Sequence, residues 1–79
     1  EVYPNPSRAV FNIRFTSEEV QNVSIRVINV MGEEIVIDNM QQFVGEYVKS
    51  VYLNNYSKGI YFLEIETDLG IINKKLILQ

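Results

Sequence analysis

Apolar and polar residues alternate with a period of two along most of this 79-residue chain. From Ala9 to Phe15, Phe11, Ile13 and Phe15 fall on one side and Val10, Asn12 and Arg14 on the other. Such alternation predicts a half-buried strand. It returns from Asn22 to Asn29, with Val23, Ile25 and Val27 inward and Ser24 and Arg26 outward. Gly32 then sits where a hairpin turn needs a positive φ, and Glu34 to Ile37 reads as a short returning strand. Glu46 to Leu53 is rich in β-formers with two apolar faces: Tyr47, Val51 and Leu53 share one with Lys49, while Val48 and Tyr52 share the other with Ser50. Periodicity leaves the inward face of that strand open.

The last third is the clearest. Gly59 to Thr67 alternates through Tyr61, Leu63 and Ile65, Asp68-Leu69-Gly70 is a tight turn, and Ile71 to Gln79 closes the chain through Ile72, Leu76 and Leu78 with Lys74 and Lys75 between. Other stretches read as connections. Two prolines around Asn5 fix two φ angles and make Val2 to Ser7 a stiff edge strand or lead-in turn. Thr16 to Gln21 is too short for the helix its Ser-Glu-Glu start would cap, and reads as a loop with one helical turn. Asp38 to Val44, with Asn39, Gln41 and Gln42, reads as a loop closed by Gly45, and Asn54 to Gly59 as a polar turn. Six or seven short strands at this spacing predict an all-β sandwich. No internal repeat or linker divides residues 1–79, which are expected to form one domain.

Composition narrows the chemistry. With no histidine and no cysteine, most general bases, nucleophilic dyads, transition-metal sites and disulfides are removed together. Ser57-Lys58 are neighbours on a turn and rarely face each other, as a dyad requires. Glu64 and Glu66 share a strand face but read as solvated, because charges are rarely buried. Asp38-Asn39 and Asp68 are oxygen donors, yet the calcium-loop pattern is absent and turn chemistry accounts for them. No catalytic, cofactor-binding or metal-binding residue is expected. A net charge of −3 with scattered charges gives no basic face for nucleic acid. The chain opens without a basic region or an apolar core, so any export signal lies outside these residues, in a longer protein.

Taken in order, Tyr3-Pro4-Asn5-Pro6, Phe11-Asn12-Ile13, Val27-Ile28-Asn29-Val30-Met31-Gly32, Leu53, Lys58-Gly59-Ile60-Tyr61-Phe62 and Lys75-Leu76-Ile77-Leu78 closely resemble the C-terminal sorting domain of the type IX secretion system, also called the Por secretion system tail. The resemblance runs from Val2 to Gln79. It implies an immunoglobulin-like β-sandwich of about seven antiparallel strands. It also implies a role: such a domain directs an attached N-terminal cargo across the outer membrane of a Gram-negative bacterium of the Bacteroidota kind. The cargo reaches the periplasm first and ends secreted or on the cell surface. The implied partners are an outer-membrane β-barrel shuttle protein and a sortase-like cysteine peptidase that removes the domain, so that the cargo is released or anchored. Carried over residue by residue, Pro4, Asn5 and Pro6 match the opening motif, Gly32 the hairpin glycine, Gly59 the glycine before the penultimate strand and Tyr61 the core tyrosine.

Lys74, Lys75, Leu76, Ile77, Leu78 and Gln79 are then the expected contact with the machinery. A terminal edge strand offers free backbone donors and acceptors, and its lysines discourage indiscriminate pairing. The competing reading is an immunoglobulin- or fibronectin-like accessory module that holds carbohydrate or protein, for which Tyr47, Tyr52 and Tyr56 would have to form one exposed patch.

Overall fold

The computed structural model describes residues 1–79, all of them placed in one antiparallel β-sheet that curls on itself or in the turns that join it. There is no helix. Five strands follow in order: β1 (Val2–Tyr3), β2 (Val10–Asn29), β3 (Glu34–Tyr52), β4 (Gly59–Thr67) and β5 (Gly70–Leu78).

The fold rests on the β2–β3 hairpin, which pairs from Val10↔Tyr52 to Ile28↔Glu34. β2 changes its other neighbour midway. Its first half pairs with β1, Val2 opposite Ile13, and its second half with β4, from Val23↔Thr67 to Asn29↔Tyr61. The change falls where the β2–β3 ladder shifts register, between Ser17 and Gln21 and again between Gln21 and Val23. Bulges bend and twist the strand that carries them. One hairpin therefore supplies both walls of the core, and β4 and β5 widen one of them.

Sequence periodicity predicts two loops here that the structure replaces with strand. Thr16 to Gln21 continues β2, with no helical turn, and Asp38 to Val44 continues β3, so the short strand expected over Glu34 to Ile37 reaches Tyr52. Five strands stand where about seven were expected. The physical reason is local. At the bend the hairpin passes between walls and most side chains reach solvent: Thr16, Glu18, Glu19 and Val20 are exposed, as are Gln41, Gln42 and Val44. Alternation disappears, while backbone pairing persists because it needs no particular side chain. In β3 the core-facing parity also switches, from Val36 and Met40 to Phe43, Tyr47 and Val51. Gln42, at φ +52°, sits at that switch.

Thirteen apolar side chains make one core. Phe11 and Ile13 come from the first half of β2, Val23, Ile25 and Val27 from its second half, and Tyr47, Val51 and Leu53 from β3 and just beyond it. β4 adds Tyr61, Leu63 and Ile65, and β5 adds Leu76 and Leu78. The open face of Glu46 to Leu53 is thereby decided: Tyr47 and Val51 turn in, Val48 and Tyr52 out. Ile72, which has the inward parity, lies beyond the covered area and is 56% exposed. With so small a core the margin of stability is a few kcal/mol, so single core contacts count.

Candidate recognition surface

β5 is held on both sides over its last residues. One side pairs with β4, from Thr67↔Gly70 to Gly59↔Leu78. On the other side lies the opening segment. Asn5 presents its side-chain amide to β5 as a peptide group would: Nδ2 donates to the Lys75 carbonyl at 2.8 Å, and Oδ1 accepts from the Ile77 N–H at 3.0 Å. Ser7 continues the row with its backbone. Its N–H donates to the Ile77 carbonyl at 3.0 Å and its carbonyl accepts from the Gln79 N–H at 2.8 Å, a short parallel bridge. Ser7 is itself buried, its hydroxyl donating to the Val10 carbonyl and accepting from the Ala9 N–H.

The expectation of a free terminal edge is therefore corrected. From the Lys75 carbonyl to the Gln79 N–H, the outward backbone row of β5 is already partnered by residues some seventy positions earlier in the chain. Asn5 was legible as part of the opening motif, and its pairing with β5 was not. Nothing local marks it, because an asparagine between prolines reads first as turn chemistry. Ser7 carried no signal at all.

The side chains of the terminal motif divide cleanly. Leu76 and Leu78 are 0% and 2% exposed and belong to the core, Ile77 is half-buried, and Lys74, Lys75 and Gln79 stand in solvent. The other motif residues take definite places in the fold. The Tyr61 ring is buried and its hydroxyl donates to the Ser57 carbonyl at 2.6 Å, which ties the turn before β4 to the core. Gly32, at φ +82°, closes the β2–β3 hairpin, where Asn29 Oδ1 accepts from the Met31 and Glu33 amides, both at 2.9 Å. Gly59, also at positive φ, begins β4 opposite Leu78. Pro4 and Pro6 are exposed on either side of Asn5.

Several of the acids and tyrosines weighed for other chemistry have partners within the fold. Arg26 bridges Glu34 and Glu64, each at 2.7 Å, and its guanidinium is held above the ordinary arginine range by the hydrogen bonds to Glu34 and then Glu64. Glu66 is exposed and takes no part in that bridge. Asp38 accepts from the Tyr47 hydroxyl at 2.9 Å and lies 3.6 Å from Lys49 Nζ. Burial, and then the bond to Asp38, raise the Tyr47 hydroxyl well above the usual tyrosine pKa. Asp68 accepts from the Asn22 N–H, and Lys58 donates to the Arg8 carbonyl. Tyr47 turns into the core while Tyr52 stands on the opposite face of β3, so with Tyr56 they form no common platform.

The family model for the secretion system C-terminal sorting domain matches residues 1–79, the full length of the chain. No curated protein matches it. That family is one of sorting signals and not of enzymes, and it implies an attached N-terminal cargo, the type IX secretion machinery, and a secreted or cell-surface destination in a Gram-negative bacterium. The chain belongs to the family of type IX secretion system C-terminal sorting domains.

Proposed function

We propose that residues 1–79 act as one folded sorting domain. It is held by an outer-membrane β-barrel shuttle protein while its cargo crosses, and it is then removed by a sortase-like cysteine peptidase with release or surface anchoring of the cargo. The observation that carries this reading is the full-length family match. The structure adds a physical fit: the terminal motif is folded into the core, so an intact terminus reports an intact domain. Lys74, Lys75, Ile77 and Gln79 are the part of that terminus a receptor can touch from outside, and Leu76 and Leu78 act through folding. The immunoglobulin-like reading is supported by dividing β2 and β3 at their bends, which turns five strands into seven segments over two walls.

The test is a fusion. A fluorescent protein with an ordinary export signal, followed by residues 1–79, reaches the medium or cell surface in a host with the secretion system and stays in the periplasm of a strain without it. Equal export from both strains overturns the proposal.

A further inference from the structure

The edge of β5 is covered only from Lys75 onward. Its outward-facing backbone groups belong to alternate residues, as in any antiparallel strand. The Lys75 carbonyl, both groups of Ile77 and the Gln79 N–H are used on Asn5 and Ser7. The same row continues at Asn73 and Ile71, where no strand lies alongside. This open stretch borders a cleft of about 580 Å³. One wall is Leu69 to Ile72, the other Phe15 to Glu19 with Gln21. Leu69, Ile71 and Ile72 are each more than half exposed, and with Phe15 they give the cleft an apolar strip. Glu18 and Glu19 stand in its other wall and no lysine or arginine lines it. Gln21 donates to Ser17 Oγ at 2.6 Å, which leaves its own Oε1 buried without a donor. Buried acceptors of that kind are uncommon and call for a partner.

We infer that the Gly70–Lys74 edge of β5 is a strand-addition site. Its occupant is an extended segment of a partner protein with alternating apolar side chains and a flanking basic residue. The backbone of that segment would pair with Ile71 and Asn73 and continue the row that Asn5 and Ser7 begin. Its apolar side chains would cover Ile72 and Phe15, and its basic residue would face Glu18 and Glu19. Main-chain bonds supply affinity in such recognition and alternate side chains supply specificity. Glu18 and Glu19, in a cleft that no lysine or arginine lines, favour a basic segment at that end of the site over a second copy of this chain, whose net charge is −3. That the segment belongs to the export machinery rests on the sorting reading, while the binding itself does not.

The probe is an acetylated, amidated peptide of alternating valine and threonine with a lysine at each end, added to the 79-residue domain and followed by amide NMR and hydrogen exchange. The expected result is saturable binding with new protection at the Ile71 and Asn73 amides. Asn73→Pro removes an outward N–H that no residue of this chain uses, a position where edge strands tolerate proline, and should weaken binding about tenfold by the loss of one backbone bond. Asn73→Ala should bind as the wild type does. Glu18→Lys with Glu19→Lys should weaken binding and flatten its salt dependence. Should Asn73→Pro unfold, the protection pattern and the charge variants still decide. No binding up to millimolar peptide, protection at Thr16 and Glu18 in place of Ile71 and Asn73, or a peptide-independent dimer through β5 would each overturn the inference. Failure of the fused wild-type domain to export its cargo would count against the sorting reading alone.

Discussion

Tyr47 is a buried phenol whose ring packs edge-on against Phe43, with centroids 6.4 Å apart, and whose hydroxyl is spent on Asp38. Its folded-state pKa is raised, so the fold favours the neutral phenol. The stability this contributes is full below the unfolded tyrosine pKa of about 10 and is lost as pH rises beyond it toward the folded value. The domain should therefore lose denaturant stability above about pH 10, and Tyr47→Phe should flatten that loss. At pH 7 the same variant should cost about 1 kcal/mol for the broken bond to Asp38. Equal alkaline slopes in urea titrations of the two proteins would show that Tyr47 does not drive the loss. Leu76 is the sharper case, with 0% exposure in a core of thirteen side chains. Leu76→Ala should cost about 2–5 kcal/mol, most of the margin of so small a domain, and thermal melting and export should fail together. A Leu76→Ala domain that melts normally but is not exported would place Leu76 in direct contact with a receptor.

At the scale of elements, β5 depends on a segment that sequence reading places far from it. Asn5→Ala removes both side-chain bonds to β5 while leaving the flanking prolines and the Ser7 bridge. The expected cost is about 1–2 kcal/mol, two modest net hydrogen bonds. Hydrogen exchange at the Ile77 amide should rise selectively, while exchange in β4 stays as it was. Uniform exchange across both strands would mean that the opening segment contributes nothing local. Much of this element level was legible in sequence. β4 alternates cleanly, the turn and β5 follow where expected, and the hairpin glycine Gly32 falls at the positive φ expected of it. The bends of β2 and β3 were not legible, because most side chains of Thr16–Gln21 and Asp38–Val44 reach solvent where the hairpin crosses between walls and the few that turn in keep no regular alternation. A polar run there looks the same in a paired strand as in a loop.

For the whole molecule, the terminus that packs Leu76 and Leu78 into the core also presents Lys74, Lys75 and Gln79 to solvent, and the proposed recognition would use those exposed side chains. Lys74→Gln with Lys75→Gln changes exposed side chains, so melting should shift by no more than about 0.5 kcal/mol in stability. Export of the fused reporter should fall several-fold if those side chains touch the receptor, and unchanged export would move recognition to the Ile71–Asn73 edge or to another face. The lysines stand at the boundary between the covered and open halves of β5, which makes them a sensitive probe of either surface.

The amino-acid sequence by itself determined the β class, the inward positions of β4 and of the two alternating halves of β2, Leu76 and Leu78 in β5, the turn glycines and the family, because each is written in local alternation or in an ordered motif. It also narrowed the chemistry, since a chain without histidine or cysteine lacks the common catalytic and metal-binding groups. Tertiary structure alone decided which face of Glu46–Leu53 is buried, since both faces are apolar and only the opposing wall distinguishes them. It alone decided that the last strand is closed from Lys75 onward and open before it, because those partners are backbone groups and one asparagine amide brought together across the chain. Local sequence has no term for a contact between residues 5 and 77; the curl of the sheet supplies it.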